Sequence, residues 1–254
     1  MMKKLLAALF ILFATVPAFA DSYINDIKFM GETPIDVERP LFNVDYTTLH
    51  SKSLKDATGD VYFEGGLRYY YGYSKRLDVP YHKDYTAAAK WFYEAGMKNH
   101  KLAAYYLGNM YAEGKGVPLD NKTAVWWYNK SRELGFSTAT FALANLYTKL
   151  YFNEKKASFK GIYLKEAKTL YDSLLSENNP YAYYNLAVLK LKTEKMTRFV
   201  KKDIDNLLLA SFNEFIVRAK RMECYEILKI MRYLKLDGYQ YAEKLFNENF
   251  RNNY

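Results

Sequence analysis

Apolar side chains recur three and four places apart from Val61 to near the C-terminus, the spacing of one buried stripe along a helix. Tyr105, Leu107, Gly108 and Tyr111 mark one such stripe, and Trp127, Tyr128 and Leu134 mark the next. The pattern also repeats on a longer scale. Ala88, Trp91, Phe92, Ala103, Leu107 and Tyr111 return as Ala124, Trp127, Tyr128, Ala139, Leu143 and Tyr147 at one constant offset. A period of this size marks a supersecondary unit that buries its apolar face only against its neighbours, so the sequence predicts a stack of helix pairs.

Turn residues fall where such pairs need them. Gly114, Gly116 and Pro118 end one helix, and Asp120 stands ready to cap the next. Asp84 holds the same place one repeat earlier, and Asn99 and Gly135 suit left-handed helix ends. Fainter copies follow. Ala167, Leu170 and Tyr171 match Ala124, Trp127 and Tyr128, while Ala182, Leu186 and Ala187 match Ala139, Leu143 and Ala144, which predicts an inserted loop around 151–161. Leu207 to Ala219 and Cys224 to Leu234 read as another pair, and Ala242, Leu245 and Phe246 as a closing helix. The expectation is an all-α chain of about five helix-turn-helix repeats over residues 59–254, with atypical end repeats as caps. Residues 21–58, with Pro34 and Pro40 and no helical period, are expected to form an irregular arm that wraps the first repeat.

The N-terminus changes the context. Lys3 and Lys4 precede an apolar run from Leu5 to Val16, and Ala18-Phe19-Ala20 precedes Asp21. This reads as a cleavable secretory leader, residues 1–20, and predicts a periplasmic or secreted protein. The run is shorter than the roughly 20 apolar residues that span a bilayer. Loss of Lys3 and Lys4 lowers the formal charge of +9 by two. The basic residues are scattered, with no compact run aimed at nucleic acid. The single Cys224 rules out an internal disulfide, so 26 Tyr and 16 Phe must supply the core.

The run Ala103-x-x-x-Leu107-Gly108-x-x-Tyr111-x-x-Gly114-x-Gly116-Val117-x-x-Asp120-x-x-x-Ala124-x-x-Trp127-Tyr128 resembles the Sel1-like repeat, a helix-turn-helix family related to the tetratricopeptide repeat. The resemblance covers roughly residues 60–250 and is strongest over 84–147; the copies after Tyr147 lack the Gly-x-Gly-Val loop. It implies a right-handed α-solenoid that serves as an adaptor for proteins or peptides, in the cell envelope for exported bacterial members. Some cysteine-rich relatives are described as penicillin-binding or β-lactamase-like, but this chain lacks their paired cysteines.

The resemblance also implies that the first helix of each pair lines the inner curve, with Ala103, Leu107, Gly108, Tyr111, Trp127 and Tyr128 in the core. The face left for a partner is then Arg68 and Tyr69, followed by Tyr106, Asn109, Met110 and Glu113, then Asn145 and Lys149, then Asn185 and Lys192. An asparagine there offers both a donor and an acceptor to a peptide main chain. Arg68, Lys149 and Lys192 would favour an acidic segment or a terminal carboxylate. An anionic polysaccharide held by exposed tyrosines and basic charge is the alternative partner.

Catalytic patterns are missing. His50, His82 and His100 have no metal-ligand spacing, no serine has a lysine three positions on, and there is no Gly-x-Ser-x-Gly, phosphate loop or dinucleotide fingerprint. The sequence therefore predicts no enzyme, no metal and no cofactor; a hydrolase acting on peptidoglycan or β-lactams is the minor alternative.

Overall fold

The computed structural model describes residues 24–31, 58–72 and 82–250. The expected leader, most of the expected arm and the last four residues lie outside these. Apart from a single helical turn at 24–26, the described residues hold ten helices and no strand. These are α1 (Gly59–Tyr71), α2 (Tyr85–Met97), α3 (Lys101–Glu113), α4 (Asn121–Glu133), α5 (Ser137–Asn153), α6 (Ala157–Leu175), α7 (Pro180–Thr193), α8 (Arg198–Val217), α9 (Arg221–Tyr233) and α10 (Tyr239–Phe250). They form five successive helix pairs of the solenoid type, divided into two compact units. One holds residues 33–174, and the other holds 1–32 with 175–254. No described helix is long and apolar enough to cross a membrane.

In the first unit the helix ends follow the residues that can satisfy them. The carboxylate of Asp84 accepts from the Ala87 N–H at the start of α2, and that of Asp120 from Lys122 and Thr123 at the start of α4. Gly114 and Gly135 take the left-handed conformation, φ 69° and 81°, as Asn99 does at 61°. The loops of the first two pairs close in the same way: Asp84 N–H donates to Tyr69 O and Asp120 N–H to Tyr111 O, both at 3.0 Å.

Packing explains the small residues. A Cβ on Gly66 would lie 2.4 Å from the Phe92 ring, and one on Gly108 would lie 2.4 Å from the Tyr128 ring. In each of the first two pairs the second helix thus drives an aromatic ring onto a glycine of the first. Gly116 (φ 73°) does a different job, because a Cβ there would lie 2.4 Å from the carbonyl carbon of Tyr85. The second pair's loop therefore rests on the backbone that opens α2. Leu67, Phe92, Leu107, Met110 and Trp127 fill the core between these helices.

His100 ties the two pairs together. Its Nδ1 accepts from the Ala103 N–H at 3.1 Å, its Nε2 lies 3.3 Å from Asp60, and its ring stacks on Phe63 with centroids 4.3 Å apart. Burial holds the imidazole below its usual pKa of 6.5, with Asp60 pulling the other way. Protonation would convert Nδ1 from acceptor to donor and cancel the cap. Because the folded value lies below the unfolded one, this contribution is complete above pH 6.5 and is lost as pH falls. His100→Asn keeps a capping acceptor, so its unfolding midpoint in urea should fall less than wild type's between pH 7 and pH 5.

Three sequence expectations need correction here. No loop spans 151–161: α5 and α6 are 17 and 19 residues long, against 13 for α3 and α4, and only 154–156 separate them. Without the Gly-x-Gly-Val-Pro stop, the extra residues simply continue both helices. α8 begins at Arg198, well before Leu207, and forms the second helix of the fourth pair. Tyr111 is half-buried and not sealed in the core.

The second unit is built from α7 to α10. Ser211 on α8 is fully buried and donates to Pro180 O, the first residue of α7, at 2.8 Å. Ser131 on α4 reaches Lys101 O, the first residue of α3, at 2.7 Å. The shared register marks Leu208 as the counterpart of Tyr128. Cys224 is completely buried, its Sγ 4.0 Å from Phe212 O, and burial pushes its thiol up to about 12.

Candidate peptide-binding site

The residues expected to face a partner separate into three groups. Arg68, Tyr106 and Met110 are buried at 2%, 6% and 0% exposure and present no surface, which corrects their assignment. The Tyr106 ring lies among Phe63, Tyr70 and Phe92, and its hydroxyl pairs with that of Tyr71 at 2.9 Å. Tyr69 is half-buried against Trp91, whereas Glu113 and Lys149 are exposed.

Asn109 and Asn145 form the second group. Each is half-buried and accepts a hydrogen bond from the second helix of its own pair: Tyr128 OH to Asn109 Oδ1 at 2.7 Å, and Tyr171 OH to Asn145 Oδ1 at 2.6 Å. Burial pushes the Tyr128 hydroxyl's pKa well up, which keeps it a donor. Their carbonyl oxygens thus brace the pair, a structural role that the sequence reading did not assign them. A double-mutant cycle with Tyr128→Phe and Asn109→Ala should return a coupling of about 1 kcal/mol in chemical denaturation.

The third group lies on α7 and carries the clamp expected elsewhere. α7 opens with Pro180 behind the capping side chain of Asn179, and from Tyr181 to Leu191 nearly every residue is buried. Asn185, fully buried, is an amide inside that apolar run and must find polar partners. It finds them in the chain's own segment 24–31. Asn185 Oδ1 accepts from the Met30 N–H and Asn185 Nδ2 donates to Met30 O, both at 2.9 Å. Beside it on α7, Tyr184 OH donates to Lys28 O at 3.1 Å, and further along Lys192 Nζ donates to Asn25 O at 2.9 Å. The described part of the arm therefore docks on the fourth pair and not on the first.

All four bonds go to main-chain atoms, so α7 reads the backbone of the segment. Side chains add contacts of a simpler kind. Ile27 is buried at 7% exposure, and the Lys192 ammonium sits 6.0 Å from the Phe29 ring centre. Partial burial lowers the Lys192 pKa, opposed by Asp26. Beside the segment a cavity of about 500 Å³ opens toward Glu226, Lys229 and Ile230 of α9. Sequence reasoning placed Asn185 on the right face but did not single it out, because Val188 occupies the position matching Asn145 in this repeat. The signal was a lone amide in a helix apolar on every side.

Among the described residues no cluster of three His, Cys, Asp or Glu could hold a metal ion. In the family comparison, the Sel1 repeat model matches residues 63–100 and 101–136, the spans of α1–α2 and α3–α4. No curated protein matches the chain in sequence. Among solved structures, a Sel1 repeat protein from Oxalobacter formigenes shares 20% identity with a TM-score of 0.53, over 76% of this chain and 74% of that one. The c5321 protective antigen of uropathogenic Escherichia coli strains, which displays an SLR fold, shares 17% identity with a TM-score of 0.35, over 77% of this chain and 50% of that one. The repeat match supports a protein-interaction scaffold. The chain thus carries two Sel1 repeats, over α1–α4, and continues them with three further helix pairs.

Proposed function

We propose that this protein is an exported scaffold that binds a peptide segment of a protein partner in the bacterial envelope. The observation that carries this reading is the α7 clamp, where Asn185, Tyr184 and Lys192 direct four hydrogen bonds to main-chain atoms of a bound segment. Backbone recognition gives affinity with loose sequence demands, and neighbouring pockets such as the one holding Ile27 add selectivity. The leader at 1–20 supports export.

Two measurements test this. N-terminal sequencing of the protein recovered from periplasm or medium should begin at Asp21. A photo-crosslinking residue placed at exposed Lys229, beside the clamp, should trap one partner in living cells; recovery of chaperones alone would end the proposal.

A second reading has its own observation. In the first unit a cavity of about 710 Å³ is lined by Tyr147, Tyr163, Asn121 and Lys122, and the Tyr163 ring stacks loosely between those of Tyr147 and Phe159, with centroids 6.1 and 6.5 Å apart. Tyrosines lining a cavity beside Lys122 suit the sugar rings of an anionic polysaccharide. Binding that vanished at high salt would point to screened surface charge, while binding that survived would point to the rings.

A further inference from the structure

We infer that the α7 clamp is a site for peptides supplied by another chain, and that segment 24–31 is the protein's own competitor for it; this rests on the scaffold reading above. The seated segment spells out what the site accepts. It takes main-chain groups at Asn25, Lys28 and Met30, an aliphatic side chain at Ile27, an aromatic ring at Phe29 beside the Lys192 ammonium, and an acidic residue at Asp26 near the same charge. The partner is therefore a peptide of the pattern acidic, aliphatic, any, aromatic.

Three features say that the segment is a replaceable guest. Its four hydrogen bonds to α7 use main-chain groups, which peptides in general possess. Its one deeply buried side chain is Ile27; Phe29 and Met30 are half-buried, and Asn25, Asp26 and Lys28 are exposed. The start of α7 is held without the arm, because Ser211 donates to Pro180 O and Asn179 caps the Tyr181 and Ala182 N–H groups. A tethered guest competes at an effective concentration of order millimolar, so the intact chain should bind a free peptide weakly.

The test uses the full chain and a fluorescent peptide of residues 22–32, followed by anisotropy. Met30→Pro removes the N–H that Asn185 accepts and stiffens the segment around it, and Ile27→Asp removes the buried anchor; each frees the clamp without altering α7. Both variants should bind the peptide at least tenfold more tightly than the intact protein. Adding Asn185→Leu to Met30→Pro should abolish that gain, and so should methylating the peptide nitrogen at the Met30 position. If either variant, folded by circular dichroism, binds no more tightly than the intact chain, or if the methylated peptide binds equally well, the inference is wrong. Its failure would leave the scaffold reading with another face to use. Failure to trap a partner in the envelope would leave the peptide site standing.

Discussion

Gly116→Ala should destabilise the protein by about 3 kcal/mol, lowering the calorimetric midpoint by on the order of 10 °C in a chain of this size. Two costs combine at this position. The residue sits at φ 73°, where an L side chain loses roughly 1–2 kcal/mol, and its new Cβ would press on the carbonyl carbon of Tyr85 at 2.4 Å and its oxygen at 2.5 Å. Backbone cannot swing aside as a side-chain tip can, so the loop must lift off α2 and separate two helix pairs; overpacking of this kind typically costs about 1–3 kcal/mol. Gly161, inside α6 with open space within 4 Å of where a Cβ would sit, is the control. Alanine there should raise stability by about 0.5–1 kcal/mol, since glycine in a helix interior carries only its entropic penalty. Equal effects at the two sites would contradict the contact between loop and helix.

Asn185→Leu should release the 24–31 segment while leaving the helices folded. The substitution deletes both bonds to Met30. At a net contribution of about 1 kcal/mol each, the docked state loses about 2 kcal/mol, and its open population rises roughly thirtyfold. Hydrogen exchange at the Met30 amide reads this directly, and trypsin cleavage after exposed Lys28 should quicken in step. The melting temperature should hardly move, because Ile27 is the one side chain of the segment that is deeply buried. Unchanged protection of the Met30 amide would show that other contacts hold the segment.

The sequence revealed those parts of the fold that rest on local chemistry. Asp84, Asp120, Asn99, Gly114 and Gly135 act where capping rules place them, because each decision depends on a residue and its next turn. The aromatics Phe92 and Tyr128 were legible for the same reason, since they repeat at a fixed spacing, whereas their glycine partners Gly66 and Gly108 do not share it. The insertion after Tyr147 was misread because seven extra residues look the same in a loop and in two lengthened helices; only the missing glycines distinguished them. The site was harder. Asn109 and Asn145 stood out by repetition, but repetition here reflects a brace between paired helices, and each asparagine meets a tyrosine that lies 19 or 26 residues onward. Asn185 meets a segment 155 residues away in sequence. No periodicity encodes a contact of that separation, and nothing in residues 24–31 alone says which helix they will choose.

The sealed thiol of Cys224 has a practical meaning for any protein that works outside the reducing cytosol. A sulfur with no exposure and a pKa pushed up to about 12 has almost no thiolate at neutral pH, so it will neither join two copies covalently nor react with maleimide while α8 and α9 stay packed. Alkylation of this single site therefore counts molecules whose last two repeats have opened, a stopwatch for local unfolding that needs no added label.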